Sequence, residues 1–369
     1  MEKAYAMVLE QFGGTFVRRE FDLPEPQGGE VVVRILTSGI CGSDVHVWKG
    51  QDKRSHLPMI LGHEGIGYVY RVNPGKKDFL GQPVNVGDLI VWNRGNSCKN
   101  CYECLVKRKP YACKDRWSYG FSKSIYDYPY LNGSYASHML LAGYTELYRI
   151  LPADQLVPGH DYVPYVSACC AGTTTACAFE QAQVQSGDNV LIQGPGPLGI
   201  YAVLFAKECG AKSVTVIGGT PERLNLCRMA GADHIIDRKV TTPEQRLKMV
   251  LDYTDGRGAD VVFELAGTSA AVEEGLRYTA TCGTYASAGV AVDIGDISVN
   301  WFRDIVRKEV RIQGVWVGDM KNTWQAVQLY QRHQEVLNHV ISHRLPLEQA
   351  NEALRLMEQK QAIKVALIP

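Results

Sequence analysis

The rhythm of apolar and polar positions changes part-way along the chain. From Glu30 to about Ile150, short apolar runs such as Val31-Val32-Val33-Arg34-Ile35 and Asp88-Leu89-Ile90-Val91-Trp92 are broken by Gly, Pro and Asp. That pattern predicts β-strands joined by tight turns. Beyond about Cys170, the apolar runs 189–193, 213–217 and 260–264 alternate with helix-length segments, the spacing of βαβ units around a parallel sheet. Near the end, Leu347, Ala350, Ala353, Leu354 and Met357 recur at helical spacing and 363–368 reads as a strand, so this tail is expected to pack back on the first domain. Residues 117–135, dense in Tyr, Phe and Trp, read as an ordered loop. No run of about 18 uncharged apolar residues occurs, which excludes a spanning helix.

Composition narrows the class. A chain of 369 residues exceeds what a single core usually supports, so two domains are expected. With 46% hydrophobic and 21% charged residues it belongs with packed globular proteins, not with disordered or fibrous ones. Lys+Arg and Asp+Glu both total 39, so no net field draws the molecule to nucleic acid or to an anionic membrane, and neither is expected as a partner. Residues 1–12 lack the features of a secretory signal, and a cytoplasmic location is expected. Eleven cysteines in a reducing compartment point to metal ligation in place of disulfides.

Directly after the strand ending at Gln193 stands Gly194-Pro195-Gly196-Pro197-Leu198-Gly199, followed by a helical run. In that context G-x-G-x-x-G is a dinucleotide fingerprint: a tight turn at the first Gly, close approach of backbone to pyrophosphate at the second, helix–strand packing at the third. About twenty residues on, the strand tip where an acid normally accepts the ribose hydroxyls of NAD is occupied by Gly218, followed by Gly219, Thr220, Pro221, Glu222 and Arg223. A hydroxyl and a guanidinium without a carboxylate at the tip favour NADP; the other reading has Glu222 hold NAD while Arg223 stacks on the adenine.

Cys98, Cys101 and Cys104 are each separated by two residues, and Cys113 follows within the same loop-like stretch. Four clustered thiols are what a closed, tetrahedral structural zinc needs. Elsewhere, Cys41, Ser43, Asp44 and His46, and then His63 and Glu64, fall in turn-like stretches of the same domain, with Cys169 and Cys170 at its far end. Spacing alone does not make these converge; singly, Cys41 or Cys170 is more often an inert buried residue and His63 a satisfied core histidine.

Taken in order, the runs Cys41-Gly42-Ser43-Asp44, Gly62-His63-Glu64, Cys98 to Cys113, Cys170-Ala171-Gly172-Thr173-Thr174 and Gly194 to Gly199 resemble the zinc-containing medium-chain dehydrogenases nearly end to end, the last interval of the Cys lobe being one residue longer. The resemblance implies an α/β protein: a chaperonin-10-like, β-rich catalytic domain from 1–168 and 312–369 that carries the structural zinc lobe, and a Rossmann doubly wound parallel sheet from 169–311. It implies a zinc-dependent, NAD(P)-linked alcohol dehydrogenase acting on a small alcohol or carbonyl compound.

By the same resemblance Cys41, His63 and Cys170 would hold the catalytic zinc, with Glu64 an occasional ligand and Cys169 a rival to Cys170. Asp44 would orient His63. Ser43 would accept the alcohol proton and His46 relay it to solvent; otherwise Ser43 caps a helix and His46 is a surface residue. Thr174 would lie beneath the nicotinamide. Trp92 and Arg94 fall where relatives line the substrate pocket, and an Arg there suits a polar or anionic substrate. The rival functions are a sorbitol- or threonine-type polyol or amino-alcohol dehydrogenase, a zinc-free quinone reductase, and a non-catalytic zinc- and nucleotide-binding protein. Homodimers or homotetramers are expected, with 311–317 as a strand that extends a sheet across a subunit boundary.

Overall fold

The computed structural model describes residues 2–369. They form two compact units, one of residues up to Cys170 with Asp319–Val327 and Val340–Pro369, the other of Ala171–Gly318 with Gln328–His339.

The first unit is built on a seven-stranded, mostly antiparallel sheet. Its middle strand, Val31–Ile40, is flanked by Glu64–Val72 on one side and Val365–Ile368 on the other, with His138–Leu141 paired to its first half. Side chains alternate along a strand, and here both faces are covered. Val31, Val33 and Ile35 enter one core with Val69, Ile90 and Met139, while Val32 and Ile40 enter a second core with Leu354 and Leu367. The chain's end completes that second core: helix Ala350–Glu358 buries Ala350, Ala353 and Leu354, and Val365 pairs with Ile40. The aromatic stretch is divided between roles. Tyr119 and Tyr135 are fully buried, while Tyr126 stands 71% exposed.

The second unit holds six parallel strands in the order His234–Asp237, Ser213–Gly218, Asn189–Gln193, Ala259–Glu264, Thr279–Ser287, Arg311–Gly314. Counted along the chain this is 3-2-1-4-5-6, the doubly wound dinucleotide-binding order.

Two boundaries differ from the sequence reading. Residues 312–318, expected in the catalytic domain, join the parallel-sheet unit because Arg311–Gly314 pairs with Thr284–Ser287; 328–339 follow them. Cys169 and Cys170 fall in the first unit, not the second. Periodicity reveals a strand but not which sheet's edge it joins. Among the described residues, no helix is long and apolar enough to cross a membrane.

Candidate active site and metal centres

At the end of the Val31–Ile40 strand, Cys41 turns the chain into the short helix Gly42–Trp48 and serves as its N-cap. The Cys41 amide donates to Asp44 Oδ2 at 2.8 Å, and the second oxygen of that carboxylate meets His63 Nδ1 at 3.0 Å. Asp44 thus closes the first turn and orients the imidazole, both side chains being fully buried. Ser43 lies inside the helix, 3.8 Å from Cys41 Sγ, so it is not the cap. His46 is half-buried and meets Gln51 at 2.6 Å.

His63 follows Gly62, whose φ of +95° is in the left-handed region; a Cβ there would come within 2.4 Å of Ser134 Oγ. The turn therefore requires glycine. Past it, Glu64 opens the next strand with its carboxylate 3.8 Å from His63 Nε2. Cys170 Sγ lies 3.9 Å from Cys41 Sγ. One ligand atom each from Cys41, His63, Glu64 and Cys170 all fall within 4.8 Å of one another. Cys169, the rival, points elsewhere: its thiol donates to the Gly65 carbonyl at 3.5 Å.

The electrostatics are those of a charged cluster taken out of water. Burial lowers the His63 imidazole, but the Asp44 carboxylate and then Cys41 raise it further, to about 9. The Cys170 thiol is held below its ordinary value by the hydrogen bond from Cys41 and, against burial, by the Arg94 guanidinium, whose Nη1 donates to Cys170 Sγ at 2.7 Å. Buried Lys364 pairs with Glu64 and is raised by it. His63 Nε2, buried, has no hydrogen-bond partner.

The four-cysteine lobe converges as well. Cys101 lies 3.5 Å from Cys104 and 3.8 Å from Cys113, and Cys113 lies 3.4 Å from Cys98, sulfur to sulfur. Tetrahedral zinc with Zn–S of about 2.3 Å separates its sulfurs by about 3.8 Å, so both clusters are close to the size the ion needs. The backbone amide of Asn100 helps to lower the Cys98 thiol to about 7.

In the second unit the fingerprint glycines behave differently from one another. Gly194 has φ +107°. A Cβ on Gly199 would fall 2.0 Å from the Gly194 carbonyl oxygen, whereas one on Gly196, the N-cap of helix Pro197–Glu208, would meet nothing within 4 Å. The turn is forced, the helix is packed tight, and the space before Pro197 and Leu198 is left to a ligand. Gly218 ends its strand, and a Cβ there would come 2.3 Å from Pro195 Cγ. No carboxylate fits at that tip. Thr220 is the N-cap of the next helix, Arg223 is half-buried in its first turn, and Thr174 is buried in helix Ala171–Ala182.

The comparisons with known proteins agree with this geometry. An alcohol dehydrogenase GroES-like domain matches residues 27–161 and a zinc-binding dehydrogenase family matches 197–332. The chain is similar to 5-exo-hydroxycamphor dehydrogenase of Pseudomonas putida, 32% identical over 94% of this chain and 93% of that protein. It belongs to the zinc-containing medium-chain alcohol dehydrogenases. L-threonine 3-dehydrogenase of Pyrococcus furiosus is 29% identical over 97% and 96% of the two chains. The crystal structure of an alcohol dehydrogenase from Thermotoga maritima is 41% identical, covers both chains completely and superposes with a TM-score of 0.95. As a member of this family the protein is an oxidoreductase of the alcohol dehydrogenase type.

Several residues of this dehydrogenase escaped the sequence reading. Lys364, the partner of Glu64, lies 300 positions away in the tail, and Phe121, edge-on to His63 with ring centroids 4.6 Å apart, comes from the aromatic loop. Arg238 and Lys239 flank Gly219, their Cγ atoms 3.1 and 3.2 Å from where a Cβ there would stand. A basic pair directly after the end of strand His234–Asp237 was the one available signal.

Proposed function

We propose that this dehydrogenase is zinc-dependent, oxidises a small alcohol to a carbonyl compound or runs the reverse, and uses NADP. The observation that carries the reading is His63 Nε2, buried without a hydrogen-bond partner and aimed among two thiols and a carboxylate. A buried imidazole nitrogen left unpaired costs about 1–3 kcal/mol, and a cation at the centre of the four ligand atoms removes that cost. Cys41, His63 and Cys170 would hold the ion, with Glu64 beside it and engaged by Lys364. Cys98, Cys101, Cys104 and Cys113 would hold a second, structural zinc.

When bound, zinc supplies Lewis acidity that eases loss of the alcohol proton, and the nicotinamide supplies the hydride acceptor. The chain's own residues do the rest. Asp44 fixes the His63 tautomer so that Nε2 is free to bind. Arg94 stabilises the Cys170 thiolate. Ser43 accepts the hydroxyl proton, and His46, one helical turn on, passes it to solvent beside Gln51. Gly218 keeps the ribose end of the coenzyme site free of a carboxylate, and Arg223, Arg238 and Lys239 favour the 2′-phosphate of NADP. Thr174 lines the nicotinamide. A polyol or amino-alcohol substrate is the second reading, favoured by the threonine dehydrogenase relative.

Elemental analysis with a coenzyme assay tests this. The expected result is roughly two zinc per chain, falling to one in Cys170→Ser with loss of turnover, and a preference for NADP that weakens in Arg223→Ala. One zinc per chain and no turnover over a broad alcohol panel leaves only the four-cysteine lobe loaded and rejects the catalytic reading.

A further inference from the structure

Among the described residues, the charged side chains around the Cys41–His63 cluster are matched with partners, with Arg116 the exception. Asp44 faces His63, Glu64 faces Lys364, and Arg94 donates to Cys170. Arg54, an exposed residue whose guanidinium lies over the Phe121 ring 5.8 Å from its centroid, is engaged by Asp52. Arg116 has no such acid. Its Nη1 donates to the Ser118 hydroxyl at 3.1 Å, while Nη2 is buried without a hydrogen-bond partner. The guanidinium lies flat against Gly95, the residue after Arg94; a Cβ there would come 1.8 Å from Nη2. The short ladder that pairs Gly95 with Ser118 holds the Arg94 and Arg116 segments side by side. Burial, with the positive charges of Arg94 and Arg54, pushes Arg116 down to about 9, and Cys113 and Asp319 offset only part of this.

A buried cation repelled by two others and without a hydrogen-bonded counter-ion is costly unless something anionic arrives to pair with it. We infer that Arg116, with Arg94 and Arg54 contributing positive potential, forms an anion subsite, and that the substrate is an alcohol carrying a carboxylate or phosphate group. The planar guanidinium suits either oxyanion, since both accept two parallel N–H bonds. The inference rests on the alcohol dehydrogenase reading above and narrows its substrate class. The reaction is unchanged: the carbinol C–H bond breaks with its hydride passing to the coenzyme, the hydroxyl proton leaves to solvent, and the anionic group is untouched.

The test compares matched alcohols on the zinc-loaded enzyme with its preferred coenzyme: lactate against 1,2-propanediol for a carboxylate, glycerol 1-phosphate against glycerol for a phosphate. The anionic member of at least one pair is expected to have kcat/KM higher by roughly 10- to 100-fold, the worth of a charged hydrogen bond. In Arg116→Gln that ratio collapses toward one, and Arg116→Lys recovers part of it. Calorimetric titration with propionate and with inorganic phosphate, which cannot react, is expected to show binding that Arg116→Gln weakens. Should Arg116→Gln fail to fold, the wild-type ratios and titrations decide alone. Turnover of the neutral alcohols without anionic preference, or a ratio that Arg116→Gln leaves intact, overturns the subsite while sparing the dehydrogenase reading. No turnover on either pair together with no anion binding overturns the subsite, and only no turnover over the broad alcohol panel as well overturns both.

Discussion

One carboxylate carries much of the local order at the Cys41–His63 cluster. Asp44 closes the turn that begins at Cys41 and holds His63 by its Nδ1. Asp44→Asn keeps the shape but lets the amide present an N–H where an acceptor is needed, so zinc affinity at this site is expected to fall roughly 10- to 100-fold, read by competition with a chromogenic chelator while the four-cysteine lobe stays loaded. The fingerprint glycines were legible in the sequence because their demands are local: φ +107° at Gly194 and the 2.0 Å approach at Gly199 follow from a strand, a turn and a helix that are contiguous; Asp44 was picked out by family resemblance alone, since its partner His63 stands 19 residues on. Lys364, Phe121 and Arg116 were not. Each is an ordinary residue in a long run, and its role exists only once a distant segment is laid beside it.

At the scale of elements, the second unit shows which signals suffice. Asn189–Gln193 was readable to its ends, being a fully buried strand with apolar Val190, Leu191 and Ile192 at its centre, set between Asp188 and Gly194. Thr279–Ser287 was not, since its sequence, TATCGTYAS, has no apolar run, and its strand character comes from parallel pairing with Ala259–Glu264. Likewise Val17–Asp22, VRREFD, is extended because Lys3–Leu9 pairs with it. Helices Pro243–Tyr253 and Ser269–Tyr278 are clamped by Arg246, which donates to both Glu274 oxygens at 2.8 and 2.7 Å, with Tyr278 donating at 2.5 Å. Burial alone would raise Glu274, but these hydrogen bonds leave it below its ordinary value. Its contribution is therefore present above the unfolded carboxylate value and lost as pH falls through the lower folded one. Glu274→Gln is expected to cost about 1–2 kcal/mol at pH 7, and the gap between wild-type and variant in urea unfolding should close below about pH 4. A gap that is flat with pH contradicts the ion pair.

For the molecule as a whole, the parallel sheet ends on an open edge. Arg311–Gly314 is its last strand, with Ile312 and Trp316 about half exposed and Trp301 and Phe302 exposed further. An edge of this kind invites pairing with a second copy. If the sheet continues across a subunit boundary, Ile312→Arg should shift the protein toward monomers in sedimentation velocity with its zinc content unchanged; a wild-type monomer would dismiss the idea. By itself the sequence determined the two architectures and the fingerprint, because periodicity and glycine spacing act over a few residues, while the candidate ligand residues and the class of chemistry came from its resemblance to a family. Only the tertiary structure decided that Cys170 and not Cys169 faces Cys41, which sheet receives Arg311–Gly314, and that Arg116 is left without an acid. Those outcomes depend on which distant surfaces meet, and a local pattern of side chains carries no record of its eventual neighbours.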